Sequence, residues 1–347
     1  MSDLTVGLAI AGGVALAAVV AHGAWQARRA GPRRASSTPQ DASPAVQMEP
    51  VLTVDAGASA VADLERVRAG PRRVEARLDA SIDAIATLKP EVLLAADLVL
   101  AHLPQARRAG SKPLLVEGLN AETGEWEGIA AEAQYGELQA GVQLANRTGA
   151  LNEIEYSEFV QKVQAFAESV GAMVELPDML DVVARARELD AFASEHDAQL
   201  ALTLRARSAA WSVGYIQQHA ARHGFVAGAV PGRMVLPSAE EGAPPVLVLG
   251  IDPQAALADD PNIAAVRDVT LSFDVAQTDP AQQPLAAWQA SAQALAGTMD
   301  ALVVDDQARP LTEGGFASIG KELERLYAAL AAHDLAAGSA AARRLFS

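Results

Sequence analysis

Apolar and polar residues alternate along several short stretches in the second half of the chain. In residues 199–205 (QLALTLR) and 269–275 (VTLSFDV) every second position is apolar. This pattern predicts strands with one side on a core and the other facing solvent. Residues 245–251 (PVLVLGI) are apolar at both odd and even positions. They predict a strand, but the pattern does not show which of its side chains face the core. Residues 225–236 predict a strand interrupted by Pro231 and Gly232.

Three-and-four spacing of apolar residues predicts the helices between these strands. A helix is expected over residues 211–223, with Gly224 at its C-terminal cap. A second runs from Leu285 to Met299, and a short strand at 301–304 follows it. The closing amphipathic helix carries its apolar face between Ile319 and Leu330.

The preceding part of the chain predicts the same order of elements. A strand over 77–88 and a helix over 91–103 come first. Strands at 114–119, 126–130 and 137–146, a helix that ends at Gly171, a strand at 172–175 and a helix over 179–194 follow. Both parts therefore have the order β-α-β-β-β-α-β-α. Either they are tandem copies, or they form one larger domain whose elements happen to repeat.

The alternating strands and interspersed helices predict an α+β fold. We expect mostly antiparallel sheets of a split β-α-β type, with helices on one face. The predicted divisions are an N-terminal span (4–25), a flexible linker rich in Pro, Ser, Ala and Gly (26–73), an acidic α+β unit (74–195), a C-terminal α+β domain (196–335) and a tail (336–347).

Residues 4–25 carry no charge, and as a helix they would be about 33 Å long, enough to cross a bilayer. Asp3 precedes them, whereas four arginines follow between Arg28 and Arg34. Positive charge stays on the cytoplasmic side, so we expect a periplasmic N-terminus and a cytoplasmic bulk. The alternative is a signal peptide cleaved near Ala21–Gly23, but a signal peptide has its positive charge before the apolar segment.

The net charge of −16 argues against a nucleic-acid partner, because phosphates require a basic surface. The acidity is concentrated in residues 113–196, which hold 16 Asp and Glu against 4 Lys and Arg. The chain has no cysteine, which is typical of a reducing compartment.

Candidate catalytic and metal-binding residues are few. His219 and His223 have a spacing that can hold zinc, but no third ligand or general-base glutamate accompanies them. Asp305 and Asp306 could hold a hard cation, although paired carboxylates at this position more often form a turn and help to cap the following helix. With no nucleophile motif or phosphate loop, we expect a non-enzymatic protein without a metal or cofactor.

Residues 302–312 (LVVDDQARPLT) resemble a segment of the C-terminal domain of the ZipA family of bacterial division proteins. In that family a similar apolar–Asp-Asp-Gln–Arg run precedes the final helix. Gly224-Phe225 and residues 269–271 are similar in order and spacing, and the resemblance covers about residues 197–333. In place of the family's long Pro/Gln-rich tether, this chain has the acidic unit.

The resemblance implies a tether that binds the C-terminal tail of the tubulin-like protein FtsZ at the inner membrane of the division septum, where other division proteins are further possible partners. It implies a peptide groove on the sheet face away from the helices. It also supplies the orientation of the 245–251 strand, with Leu247, Leu249 and Ile251 on the groove. The other expected groove residues are Val226, Val230, Thr270 and Ser272, with Arg309 at the rim to pair with an acidic tail residue. The alternative function is a membrane-anchored scaffold that uses the acidic 113–196 region to bind a different protein.

Overall fold

The computed structural model of the protein describes residues 77–258, 260 and 264–347. The predicted membrane span and linker lie outside these residues, and the acidic unit predicted from residue 74 is described from Arg77 onward. The described residues belong to one compact unit, Arg66–Ser347. Within the described part of the chain, no helix is long and apolar enough to cross a membrane.

The first half of the described chain contains nine strands and three helices. In chain order they are β1 (Asp83–Pro90), β2 (Leu94–Ala95), α1 (Ala96–His102), β3 (Arg108–Ala109), β4 (Lys112–Asn120), β5 (Trp126–Gly128), β6 (Gln134–Gln143), β7 (Ala145–Asn146), β8 (Gly149–Ala150), α2 (Glu153–Val170), β9 (Ala172–Glu175) and α3 (Met179–His196).

The second half continues directly from α3. Its elements are β10 (Gln199–Ala206), β11 (Trp211–Ser212), α4 (Val213–Arg222), β12 (Val226–Ala227), β13 (Arg233–Leu236), β14 (Leu247–Gly250), α5 (Pro253–Ala256), β15 (Ala265–Val266), β16 (Asp268–Asp274), a 3₁₀ turn (Pro280–Gln282), α6 (Pro284–Met299), β17 (Ala301–Val304), α7 (Glu313–Ala332) and α8 (Ala340–Leu345).

Each half builds its own main sheet, and every strand pair in both is antiparallel. The first sheet has the order β3-β4-β6-β1-β9, with β2 and β5 attached to β6 and β4. The second has the order β12-β13-β14-β16-β10-β17. The prediction of an α+β fold with mostly antiparallel pairing is confirmed.

The two sheets also agree in register along four successive strands. In the first sheet Thr87 lies between Glu175 of β9 and Gln139 of β6, and Gln139 in turn faces Glu117 of β4. In the second sheet Thr203 lies between Val304 of β17 and Thr270 of β16, and Thr270 faces Gly250 of β14. Along these four strands, the paired positions of the first sheet therefore have counterparts in the second sheet.

Helices cover the core face of each sheet. In the first, Ala84, Ala86 and Leu88 of β1 are buried in one cluster with Phe159 and Val163 of α2. In the second, Leu271 and Phe273 of β16 are buried with Trp288 of α6, whose indole N–H donates to the carbonyl of Leu271 at 2.8 Å. Alternation along β1, β10 and β16 places their remaining side chains on the opposite face.

The helix of the first half that follows β1 is shorter than predicted. A helix was expected over 91–103, but residues 94–95 pair with β6 as strand β2 and the helix is Ala96–His102. Pairing of Leu94 with Tyr135 buries both side chains, whereas Val92 and Leu93 stay exposed. The strand predicted from residue 77 begins at Asp83, because residues 79–82 form a turn closed by the Asp79 carbonyl.

Helix α2 shows how local sequence sets an element's ends. The side chain of Asn152 accepts hydrogen bonds from the backbone of Ile154 and Glu155, and Glu155 accepts in return from the Asn152 N–H. This capping box satisfies N–H groups that have no partner within the helix. The helix ends at Gly171, whose φ of 67° lies in the left-handed region, as the sequence predicted.

The C-terminal segment, predicted only as a tail, contains the buried helix α8 at the junction of the two halves. Leu345 and Phe346 are buried in a cluster with Ile82 of the first half and Leu330 of α7. The short length and Ala-rich composition of α8 give its sequence little helical periodicity. The junction therefore holds together residues that lie at opposite ends of the described chain.

An ion pair accompanies this packing. Both Arg344 guanidinium Nη atoms donate to the Asp83 carboxylate, at 2.6 and 2.8 Å, and the Asp83 side chain is fully buried. Burial raises the pKa of Asp83, while the hydrogen bonds and charge of Arg344 act in the opposite direction. The Arg344 carbonyl also accepts a hydrogen bond from Gln143 at 2.8 Å.

A second ion pair joins the halves near the α3–β10 connection. Arg147, in the turn between β7 and β8, binds the carboxylates of Asp197 and Asp274, with closest distances of 2.6 and 2.5 Å. These hydrogen bonds raise the pKa of Arg147 well above its usual range, so its charge is permanent. Because Asp274 is the last residue of β16, this contact places the first half against one end of the second sheet.

Replacing Arg344 with Met should destabilise the protein by about 3–5 kcal/mol near neutral pH, because the Asp83 carboxylate would remain buried without its cation. Removal of Arg344 raises the pKa of Asp83 further. The stability deficit should therefore shrink as the pH falls and Asp83 becomes protonated.

Denaturant unfolding at about pH 7 and about pH 4.5 measures the change. The double variant Asp83→Leu, Arg344→Met is the control and should lose much less stability, because neither charge remains buried. An equal deficit for the single variant at both pH values would contradict the assignment.

Candidate functional site

The outer face of the second sheet, the one turned away from α6 and α7, is the candidate binding surface. Its central row follows the register from Val226 through Val235, Val248 and Ser272 to Ala201. A second row runs from Arg233 through Gly250, Thr270 and Thr203 to Val304. Ala201 and Thr270 are exposed at the middle of this surface, so the described residues leave it open.

Apart from Arg233, these rows consist of small and β-branched side chains. Val226 is 51% exposed at the β12 edge, Val235 and Val248 are half-buried, and Gly250 has no side chain. A Cβ at Gly250 would meet no atom closer than 3.9 Å. The result is a shallow apolar strip on a sheet face that is commonly polar when it contacts solvent.

The predicted orientation of β14 is wrong. Leu247, Leu249 and Ile251 are 0%, 0% and 4% exposed and belong to the core of the second half, whereas Val248 and Gly250 point outward. Leu249 lies opposite Met234 and Leu271 in the register, and both of these side chains are in the core. Because the larger leucines pack under the helices, they determine which side chains of β14 face the core.

The other predicted groove residues are spread across the sheet. Thr270 and Ser272 lie at its centre on β16, and Ser272 is only 9% exposed. Val226 is on the β12 edge, and Val230 is 52% exposed in the turn that leads to β13. Arg309 lies beyond β17 at the opposite edge, five inter-strand spacings or about 24 Å from β12. The structure therefore does not bring Arg309 together with Val226.

The Asp-Asp-Gln segment forms a turn, as the more common interpretation of its sequence predicted. The Asp305 carboxylate accepts hydrogen bonds from the backbone of Gln307 at 3.0 Å and of Arg309 at 2.8 Å, and from the Arg309 guanidinium at 2.9 Å. Ala308 takes a φ of 59° to close the turn. The side chain that caps the following helix is that of Thr312, so neither aspartate has that role.

This turn directs the chain back along the edge of the sheet. Pro310 forms a bridge with Val304, and the Leu311 N–H donates to the Val303 carbonyl at 3.0 Å. The turn therefore covers the exposed edge of β17 and holds Arg309 at the rim, where its side chain is 68% exposed. Arg309 remains accessible to an acidic ligand although Asp305 already pairs with it.

Charged groups mark the two ends of the open face. At one end Arg205 of β10 pairs across the strands with Asp268 of β16 at 2.8 Å. At the other end Arg147 of the first half reaches Asp274. Sequence reasoning did not identify Arg147, Val235 or Val248. The register of β13, β14 and β16 shows which side chains share the face, but single-strand patterns do not contain that information.

The histidine pair does not make a metal site in the described residues, where no group of three or more His, Asp or Glu side chains has a suitable arrangement. The His219 ring lies against Tyr215, with centroids 4.2 Å apart. Burial lowers the pKa of His219, and the positive charges of Arg222 and His223 add to this effect.

Comparisons with known proteins give no family assignment. No protein-family model matches the chain, and a search of the curated proteins finds no match.

The carboxyl group of Asp305 should titrate below its usual pKa, mainly because the Arg309 backbone N–H donates to it and additionally because of the Arg309 guanidinium. The Arg309→Ala variant retains the backbone donor. It should therefore raise the pKa only part of the way towards that of a free aspartate.

NMR titration of the Asp305 carboxyl carbon in both proteins tests this expectation. The turn is held by the ionised carboxylate, so its hydrogen bonds should be lost as the pH falls through the lowered pKa. A full return to the ordinary aspartate value in Arg309→Ala would contradict the backbone assignment.

Proposed function

We propose that this chain is a non-enzymatic tether that binds the C-terminal tail of FtsZ on the open face of its second sheet and holds FtsZ polymers at the inner membrane. The observation that supports the proposal most directly is the apolar strip centred on Val226, Val235 and Val248, on a sheet face that the described residues leave uncovered. The sequence resemblance of residues 302–312 favours FtsZ as the ligand.

The strip suits a short peptide better than a rigid globular partner. It is narrow and shallow, and its backbone is approachable at Gly250. Each branched apolar residue of a peptide gains about 1.5–3 kcal/mol if it is fully buried. The cost of ordering the peptide offsets much of this gain, so we expect reversible binding of modest affinity. A membrane-bound array of such weak sites would hold a polymer through avidity.

Arg309 is proposed to act at the rim of this site. Its guanidinium is exposed next to the β17 edge and pairs with Asp305, so it can bind an acidic residue of the tail without a costly rearrangement. An exposed ion pair of this kind contributes mainly to the rate of association and to salt dependence. The proposed location at the division septum of the inner membrane depends on the N-terminal span and on FtsZ as partner.

The two halves are proposed to be tandem copies of one α+β domain. Support comes from the strand order that the two sheets share. When Thr87 of the first sheet is aligned with Thr203 of the second, Glu117 falls at the position of Gly250. In this proposal the second copy keeps the open face, while the first copy is tied to the second through Arg344 and Arg147.

Titration of the unit Arg66–Ser347 with a synthetic FtsZ tail peptide tests the function. This unit is the appropriate fragment, because α8 and Arg147 join the second half to the first. We expect Val226→Asp and Val248→Asp to weaken binding at least about tenfold, or about 1.4 kcal/mol, since each puts a charge on the apolar strip.

Met173→Asp is the matched control. Met173 is 72% exposed on β9, an edge strand of the first sheet, so this change adds the same charge away from the site. Leu249→Asp is unsuitable as a test because it would disrupt the core. Absence of binding by the wild-type unit, or unchanged binding by both folded strip variants, would refute the proposed function.

A further inference from the structure

The outer face of the first sheet is covered by the chain itself at the point where the described residues begin. Glu117 of β4 is 2% exposed on this face. One of its carboxylate oxygens accepts hydrogen bonds from the backbone N–H groups of Arg77 and Leu78, the latter at 2.8 Å. Its other oxygen accepts from the Gln139 amide at 3.1 Å. Residues 77–78 are thus held by their backbone, outside any strand ladder.

A glycine on the same face provides room for the Leu78 side chain. A Cβ at Gly141 would lie 2.3 Å from Cδ2 of Leu78, so the leucine occupies the space that any other residue at this position would fill. The register places Ile85 and Leu115 on either side of Gly141. The side chain of Leu78 therefore lies in a hollow with apolar neighbours on both adjacent strands.

The C-terminal helix completes this contact. Arg344 donates to the Arg77 carbonyl at 2.6 Å, through the same guanidinium that binds Asp83. The segment 77–78 is consequently bound as an extended peptide would be, with its N–H groups on a carboxylate, its carbonyl on a cation and its apolar side chain in a hollow.

The second sheet shows that this architecture does not require such a cover. By register, Gly141 corresponds to Ser272 and Glu117 corresponds to Gly250. Ser272 itself is only 9% exposed, but Ala201 and Thr270 beside it are exposed on the same face. The segment 77–78 therefore occupies a surface whose counterpart in the second sheet is accessible at these neighbouring residues.

We propose that the outer face of the first sheet is a second peptide-binding site, closed in this structure by the chain's own residues 77–78. Its ligand is an extended peptide with an aliphatic side chain for the Gly141 hollow and two consecutive free N–H groups for Glu117. Release of residues 77–78 opens the site. This inference does not depend on the proposed binding of FtsZ.

The probe is an acetylated and amidated peptide of residues 71–78 (PRRVEARL), titrated by NMR into the unit Arg66–Ser347. The wild-type unit should bind it weakly, with an apparent Kd of about 1–2 mM, because the covalently attached segment competes at an effective concentration of about 1 mM. The variant Leu78→Asp places a carboxylate beside Glu117 and should release its own segment. It should then bind the wild-type peptide with a Kd on the order of 0.1–1 mM.

Two further changes define the site. Gly141→Val in the Leu78→Asp protein fills the hollow and should abolish peptide binding. Gly136→Val is its matched control on the same strand, since a Cβ at Gly136 has its nearest neighbour at 3.7 Å and lies away from Leu78. A peptide carrying Leu78→Asp should not bind to any of these proteins.

Hydrogen exchange of the wild-type unit provides the independent readout. The Leu78 amide should exchange through local opening, with protection at least about tenfold lower than that of core β1 amides such as Leu88. Exchange of Leu78 only through global unfolding would show that the segment is an integral part of the fold and would overturn the proposal. Loss of cooperative unfolding in Leu78→Asp, or no peptide binding by the folded variant, would overturn it equally.

Discussion

Each sheet of this protein packs its long helices on one face, and this constraint governs the rest of the structure. A two-layer arrangement buries one set of alternating side chains and leaves the other set to be solvated, covered or used for binding. The first half covers its second face with residues 77–78 and the Arg344 side chain. The second half leaves small and branched residues on the corresponding surface. The two halves thus share an architecture and differ in how the free face is treated.

The junction between the halves combines ion pairs with an apolar cluster. The Asp83–Arg344 pair lies beside the apolar cluster of Leu345 and Phe346. The desolvation of both ions makes such a pair a weak net source of stability. The geometry of the pair instead makes the Arg344 guanidinium the partner of the Asp83 carboxylate. The same guanidinium also donates to the Arg77 carbonyl. The Arg344 side chain therefore couples the position of the C-terminal helix to the covering of the first sheet's outer face.

Most of the secondary structure was predictable because apolar periodicity reports directly on burial. The strands around Leu202 and Leu271 alternate cleanly, and each has the inward face that its pattern indicated. The helix over Phe159 and Val163 and the strand that follows Gly171 were likewise identified. The order of strands within a sheet could not be read from any single segment.

The errors arise where tertiary contacts decide between local alternatives. The side chains on both faces of β14 are apolar, so its sequence does not show which face points to the core. Only the pairing of Leu249 with Met234 and Leu271 places Leu249 in the core. Helix α8 is short, and its burial depends on Ile82, some 260 residues earlier in the sequence. The predicted groove residues at Thr270 and Ser272 follow from alternation alone, and they are on the expected face.

The turn that carries Arg309 has a consequence for crowded copies of this protein. An uncovered edge strand presents unpaired backbone groups that can recruit a strand from another molecule. Pro310 bridges to Val304 and lacks an N–H, and Leu311 occupies the carbonyl of Val303. The β17 edge is therefore protected against sheet extension. Molecules concentrated on a surface would stay individually folded along this edge instead of fusing into a continuous β-structure.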